Sequence, residues 1–220
     1  MDHQKSKSSD LIGQREQRIQ KINDLRELNI DPFPAHSNRS NPIKEIVENF
    51  ESFEGREVVV DGRIMAIRGH GKLSFMDLHD ENSKIQLYIK DDLLTIKEID
   101  GGRSLSFSEL HLIDNFDFVE AYGKVTKTQR GEISLQVDHL RVLSKTIRPL
   151  PNSIDDKEER FRRRYVDMAV HPEVRERMVR RSLFWQAHRE FLNERGFHEI
   201  NIPVLEHVPG GGDAVPFTTH

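Results

Sequence analysis

Residues 72–90 read KLSFMDLHDENSKIQLYIK, and their alternation decides the fold. Strand side chains point to opposite faces with period two. Ser74, Met76 and Leu78 form one row; Phe75, Asp77 and His79 form the other. The first row carries the larger apolar partners, and the second is polar except for Phe75. After a turn at 80–83, Ile85, Leu87 and Ile89 continue the apolar row while Gln86, Tyr88 and Lys90 face the other way. A hairpin in this register sets Phe75, Gln86 and Tyr88 on the solvated face. A ring there has two readings: a platform on which a nucleobase stacks, or one of the scattered apolar side chains that soluble proteins expose.

Working outward, the β pattern extends over 57–145. Strands are expected at 58–67, 73–77, 85–90, 118–126 and 133–143, with turns at Gly69-His70-Gly71, at 80–83 and at Arg130-Gly131-Glu132. The mixed segment 91–115 contains Gly101-Gly102, so a short helix is expected on each side of that break. Five strands with a helical insertion between the third and fourth is the layout of an OB-fold β barrel, which binds oligonucleotides across its second and third strands. Phe75 lies on those strands, which strengthens the stacking reading.

The flanks complete the organisation. Residues 1–10 are polar and Lys/Ser-rich and read as a disordered tail. Residues 11–28 read as a helix, with Ile12, Ile19, Ile22, Leu25 and Leu28 at helical spacing and Arg15, Arg18, Lys21 and Arg26 on the exposed side. It should stop near Asn29, before Asp31-Pro32-Phe33-Pro34. That helix either only packs or also helps to hold RNA. The first domain is thus an N-terminal helix plus the barrel (11–150), and a second begins at 151. In it, acidic 155–159 precedes Arg160-Phe161-Arg162-Arg163-Arg164-Tyr165, either a solvated charged face or a phosphate contact. Pro172 opens a helix whose stripe is Val174, Met178, Trp185 and Leu192, flanked by Phe184, Ala187 and Phe191, and Gly196 closes it. So broad an apolar face needs a partner surface, within the domain or from another subunit. A short strand is expected at 197–205, interrupted by Pro203, and Gly210-Gly211-Gly212 form a turn that lets backbone approach a ligand.

Composition sets the limits. A net charge of −4 gives no global attraction to nucleic acid, so any basic footprint is local. Cysteine is absent, which excludes disulfides, thiolate chemistry and cysteine-bound zinc. No apolar run reaches the length of a membrane span, and the expected location is cytoplasmic.

Taken in order, these segments resemble the amino-terminal portion of the class II lysyl-tRNA synthetase family. LRELNIDPFP (25–34) is similar to the family's opening helix and its Pro-aromatic-Pro exit. GRIMAIRGHGKLSFMDLHDENSKIQLYIK (62–90) resembles the first three strands of its anticodon-binding barrel, and GKVTKTQRGEISLQVDHLRVLSKTIRPLP (123–151) its last two strands and linker. RFRRRYVDM (160–168), the long helix and GFHEINIPVL (196–205) resemble class II motif 1. VPGGGDAVPFTTH (208–220) resembles the loop approaching the amino-acid pocket.

The resemblance implies the α+β start of a class II catalytic domain at 151–220. It implies tRNA anticodon contacts at Arg68, Phe75, Gln86 and Glu132, with the ring stacked on an anticodon uridine and the polar groups reading base edges. Gly211 is implied near L-lysine, and a homodimer interface at Val174, Met178, Trp185 and Pro203. The family is a lysine–tRNA ligase that uses ATP and Mg²⁺ to form lysyl-adenylate and then charges its tRNA. The sequence departs from the family at Val215, where a basic residue is usual, and at Ile202 of the motif 1 strand. Motifs 2 and 3 do not occur before His220, so this stretch holds no catalytic residue, binds no metal or cofactor alone, and is expected to be inactive alone. Alternatives are a stand-alone OB-fold RNA-binding module and a fragment of aspartyl- or asparaginyl-tRNA synthetase, against which the PGGG-to-PFTTH ending argues. A protein-lysylating paralogue lacks the barrel.

Overall fold

A computed structural model describes residues 2–99, 102–128, 131–151 and 153–203, with residues 2–10 described by their backbone alone. The chain divides into two compact units, Met1–Leu150 and Pro151–His220.

In the first unit, alternation becomes a barrel. β1 (Glu57–His70) pairs antiparallel with β2 (Leu73–His79), and β2 with β3 (Lys84–Lys90). After β3 comes a two-stranded ribbon, β4 (Glu98–Ile99) and β5 (Gly102–Arg103), then a 3-10 helix at Phe107–Leu112. β6 (Phe118–Lys127) pairs antiparallel with β1 and with β7 (Ile133–Ser144). β7 returns parallel to β3 and closes the barrel in the order β1-β2-β3-β7-β6. Ser74, Met76, Leu78, Ile85, Leu87 and Ile89 are all buried, so the row expected to face the core does. One expectation fails: only the second flank of the 91–115 insertion is helical. The first is held extended by Ser104, whose N–H donates to the Lys97 carbonyl (2.9 Å) and whose Oγ accepts from Lys97 N–H (2.8 Å).

Helix α1 (Asp2–Glu27) takes in residues 2–10, which the sequence reading set apart as a tail. That extension has no apolar residue, so its sequence offers no apolar stripe to pack. The helix ends where Asn29 adopts φ 58°. Ile30 N–H donates to Leu25 O and Asn29 N–H to Arg26 O, with Ile30 and Leu25 both buried; this is a Schellman stop with its apolar contact. Arg18 donates to Thr146 O (2.8 Å) and Lys21 pairs with Asp114 (2.7 Å), so two of the four basic side chains dock the helix. Ile12 remains exposed. Two helices had no counterpart among the expectations: α2 (Ile43–Glu48) and α3 (Phe50–Phe53). Ile43 and Ile46 join the barrel core.

The second unit opens with α4 (Lys157–Arg162), capped by Asp156, which accepts from Glu159 N–H at 2.7 Å. α5 (Arg164–Val170) and α6 (Pro172–Asn193) follow, Pro172 sitting in the first turn as its fixed φ favours. Gly196 has φ 81°, and Phe197 N–H donates back to Leu192 O. The strand expected at 197–205 is not formed over 197–203; a strand needs a ladder partner, and the described residues provide none for it. Residues 204 and 205 lie outside the described residues.

Two predictions follow from the packing. A Cβ on Gly123, at the β6–β7 bulge, would lie 1.9 Å from the Gln136 carbonyl oxygen. Gly123→Ala should lower barrel stability by about 1–3 kcal/mol, read as a lower urea midpoint by circular dichroism. Glu109 accepts from Arg103 (2.6 and 2.9 Å) and from Ser106 N–H (2.8 Å). The Arg103 bonds, against burial, hold its carboxyl down from the usual 4.5 to about 2. A lowered folded pKa stabilises fully above the unfolded value and less as pH falls through the folded one. Glu109→Gln should therefore cost about 1–3 kcal/mol at neutral pH, with the difference shrinking from pH 4.5 toward about 2 in urea titrations.

Candidate nucleic-acid interface

The outer face of β1–β2–β3–β7 is arranged in rungs. Arg68 lies opposite Phe75, Phe75 opposite Tyr88, and Tyr88 beside Gln136. The next rung holds Asp77, Gln86 and Ser134. Alternation therefore brings these side chains to one face, and barrel closure sets β7 and the turn before it against β3. A groove of ≈ 1280 Å³ runs over this face, lined by Arg68, Phe75, Gln86 and Glu132 among others. All four residues expected to contact RNA thus line one cleft.

Phe75 is half-buried rather than free, because Tyr88 lies against it with ring centroids 5.4 Å apart and planes at 33°. Gln86 departs further from expectation: it is on the outer face but only 9% exposed. Its Nε2 donates to Glu132 Oε2 (3.0 Å), and its Oε1 accepts from Ser134 Oγ (3.2 Å). The parallel β3–β7 pairing supplies both partners, which a hairpin-only reading cannot anticipate. Each partner uses one of the amide's bonding positions, leaving an N–H and a lone pair for a ligand. Arg68 pairs with Asp77 at 2.6 Å. Tyr88 and Asp77 were passed over as site residues although the same alternation places them here. Among the lining residues Arg68, Lys84 and Lys127 face Asp77 and Glu132, so the cleft is mildly basic in a chain of net charge −4. Lys90 Nζ lies 5.5 Å from the Tyr88 ring centroid, and its hydrogen bond with Tyr88 raises its pKa above the usual lysine value.

The second unit offers less. The basic run is neutralised internally: Arg162 pairs with Glu158, Arg163 with Glu159, and Arg160 and Arg164 both with Asp167. The solvated-face reading accounts for it. Of the expected interface residues, Val174 is fully buried in the single chain, so it presents no surface to a partner. Met178 is half-buried, Trp185 is 50% exposed and Pro203 is exposed. Gly211 and Val215 lie outside the described residues. Among those described, no cluster of three or more His, Asp or Glu side chains is placed to hold a metal ion, and no helix is long and apolar enough to cross a membrane.

The geometry agrees with comparisons to known proteins. The sequence profile for an OB-fold nucleic acid binding domain matches residues 58–143, and that for class II tRNA synthetases (D, K and N) matches residues 156–220. Lysine–tRNA ligase of Carboxydothermus hydrogenoformans is 39% identical over 92% of this chain and 41% of its own length. That of Syntrophomonas wolfei is 38% identical over 92% of this chain and 40% of its own. The ligase of Clostridium acetobutylicum is 38% identical over 99% of this chain and 41% of its own length. The chain spans about two-fifths of the length of these curated relatives. With the closed barrel and the class II segment in the expected order, the chain matches the amino-terminal portion of class II lysyl-tRNA synthetases.

Proposed function

We propose that this chain supplies the anticodon-reading part of a lysine–tRNA ligase. The observation that carries the reading is the convergence of Phe75, Arg68, Gln86 and Glu132 on one groove across the second and third barrel strands. Splayed single-stranded bases are read by an aromatic face together with hydrogen bonds to base edges. Phe75 offers the face, Gln86 an amide edge held in place by Glu132 and Ser134, and Arg68 a planar cation at the same rung. A uridine lying on Phe75 would present its carbonyls and imide N–H to these groups.

The whole protein, on this reading, activates L-lysine with ATP and Mg²⁺ as lysyl-adenylate and transfers lysine to its tRNA in the cytoplasm. The nucleotide and metal would supply the leaving group and its charge neutralisation, with binding groups lying in motifs that this stretch does not contain. What this chain's own residues do is bind and orient the tRNA. Gly211 would let backbone approach the lysine. Met178, Trp185 and Pro203 would contribute to a homodimer interface. The exposed apolar side chains Val179, Leu183, Phe184 and Trp185 on α6 support that part of the proposal.

Two measurements test it. Phe75→Ala should weaken binding of a hairpin RNA carrying a lysine anticodon loop by roughly 1–3 kcal/mol, with the circular dichroism of the barrel unchanged; unchanged affinity counts against the site. The 220-residue chain by itself should give no lysine-dependent pyrophosphate exchange, and measurable exchange would overturn the division of labour.

A further inference from the structure

The groove holds a second ring that the anticodon reading leaves unused. Tyr88 faces Phe75 directly across the β2–β3 ladder, lines the same groove and is half-buried as Phe75 is. Gln136 lies beside it on β7, also in the groove. The two rings are 5.4 Å apart, centroid to centroid. Bases in a helical stack repeat at about 3.4 Å, so neighbouring bases seated on these two rings must be splayed apart, the geometry in which proteins read single-stranded RNA. Lys90 now lies over the Tyr88 ring at 5.5 Å. It is the last residue of a strand, half-exposed, on a flexible stem. Leaving the ring for a phosphate would uncover the ring and keep the charge engaged.

We propose that Tyr88 is a second stacking residue, taking the base next to the one on Phe75, so that the groove seats two consecutive bases. The inference rests on the anticodon reading and extends it. The competing account is structural: an aromatic pair at this distance is stabilising in its own right, and Tyr88 would then only support Phe75. Affinity alone does not separate the two accounts, because residues in contact couple.

The test uses the hairpin RNA with each loop position in turn replaced by fluorescent thieno-uridine, against the unmodified chain and its variants. Two adjacent positions should be quenched on binding. Tyr88→Ala should restore emission at one of them and Phe75→Ala at the other. Tyr88→Ala should weaken binding roughly 5- to 150-fold, while Tyr88→Phe, which keeps the ring, should leave both the quench and the affinity in place. Should Tyr88→Ala not fold, Tyr88→Val keeps a good strand former at the position and serves the same purpose. If the Tyr88 variants restore emission only at the position that Phe75→Ala restores, or at none, the proposal is overturned while the anticodon reading stands. If Phe75→Ala also restores nothing, both fall together.

Discussion

The polar side of the candidate site depends on one short parallel contact, Gln86, Leu87 and Tyr88 of β3 against Ser134, Leu135 and Gln136 of β7. The hairpins β1–β2, β2–β3 and β6–β7 join neighbouring strands, and β1 pairs with the distant β6 in antiparallel fashion. The parallel contact joins residues far apart in the chain, so its loop-closure entropy must be offset by what it buries. Leu87 and Leu135, at its centre, are both fully buried. Once formed, it removes two free sheet edges and brings Glu132 and Ser134 to Gln86. Without it, Gln86 would be one more exposed amide, and Phe75 and Tyr88 a ring pair on an open hairpin.

The far end of the barrel is fixed by a different device. Lys145, fully buried, donates to Leu112 O (2.6 Å), to Asp114 (2.8 Å) and to Asp117, so all three of its protons are used. Asp117 also accepts from Thr146 N–H and Asp114 N–H, both at 2.7 Å. Lys21 of α1 reaches the other oxygen of Asp114. A buried ion pair is weak evidence of net stability, but removing one partner strands the other. The knot therefore ties three pieces together at once: the end of β7, the loop before β6 and the opening helix. Arg18 adds a second link between the helix and the end of β7 through Thr146 O. The groove is thus formed on a barrel whose helix and insertion are held by charged groups that do not line it.

How much of this was legible follows from which interactions are local. The barrel strands were readable because alternation is a property of adjacent residues; the stop near Asn29 was readable from the prolines that follow it, and Gly196 as a stop because a left-handed residue is needed there. α2 and α3 were missed although Ile43, Ile46, Val47 and Phe50 have helical spacing; the run is short, and its stability comes from Ile43 and Ile46 entering a core that only the assembled barrel defines. The same limit explains Gln86. Its face was correct and its burial was not, because the groups that cover it come from the far side of a parallel closure. At 197–203 the error is the reverse: the residues have strand character, but a strand without a ladder partner does not form. Val174 was placed on a partner-facing stripe by periodicity, which cannot tell a face covered by another subunit from one covered within its own chain.

Two polar side chains of the groove, Arg68 and Gln86, are held with different firmness. Arg68 and Asp77 meet at 2.6 Å, but the Arg68 side chain is 56% exposed, and an exposed pair of this kind is worth at most about 1 kcal/mol. Arg68 can leave Asp77 for an RNA group at little cost. Gln86 is buried and bonded on both ends of its amide, and breaking those bonds without replacement would cost about 1–3 kcal/mol. It therefore stays where it is, while Arg68 is free to adjust. A base edge that matches the fixed amide is accepted as presented; one that does not leaves buried polar atoms unpaired. On the proposed anticodon reading, discrimination would reside in Gln86 with Glu132 behind it, and adaptability in Arg68. On that reading, since a net charge of −4 provides no general attraction for RNA, the rings and the local cations of the groove would supply affinity, and the fixed amide selectivity.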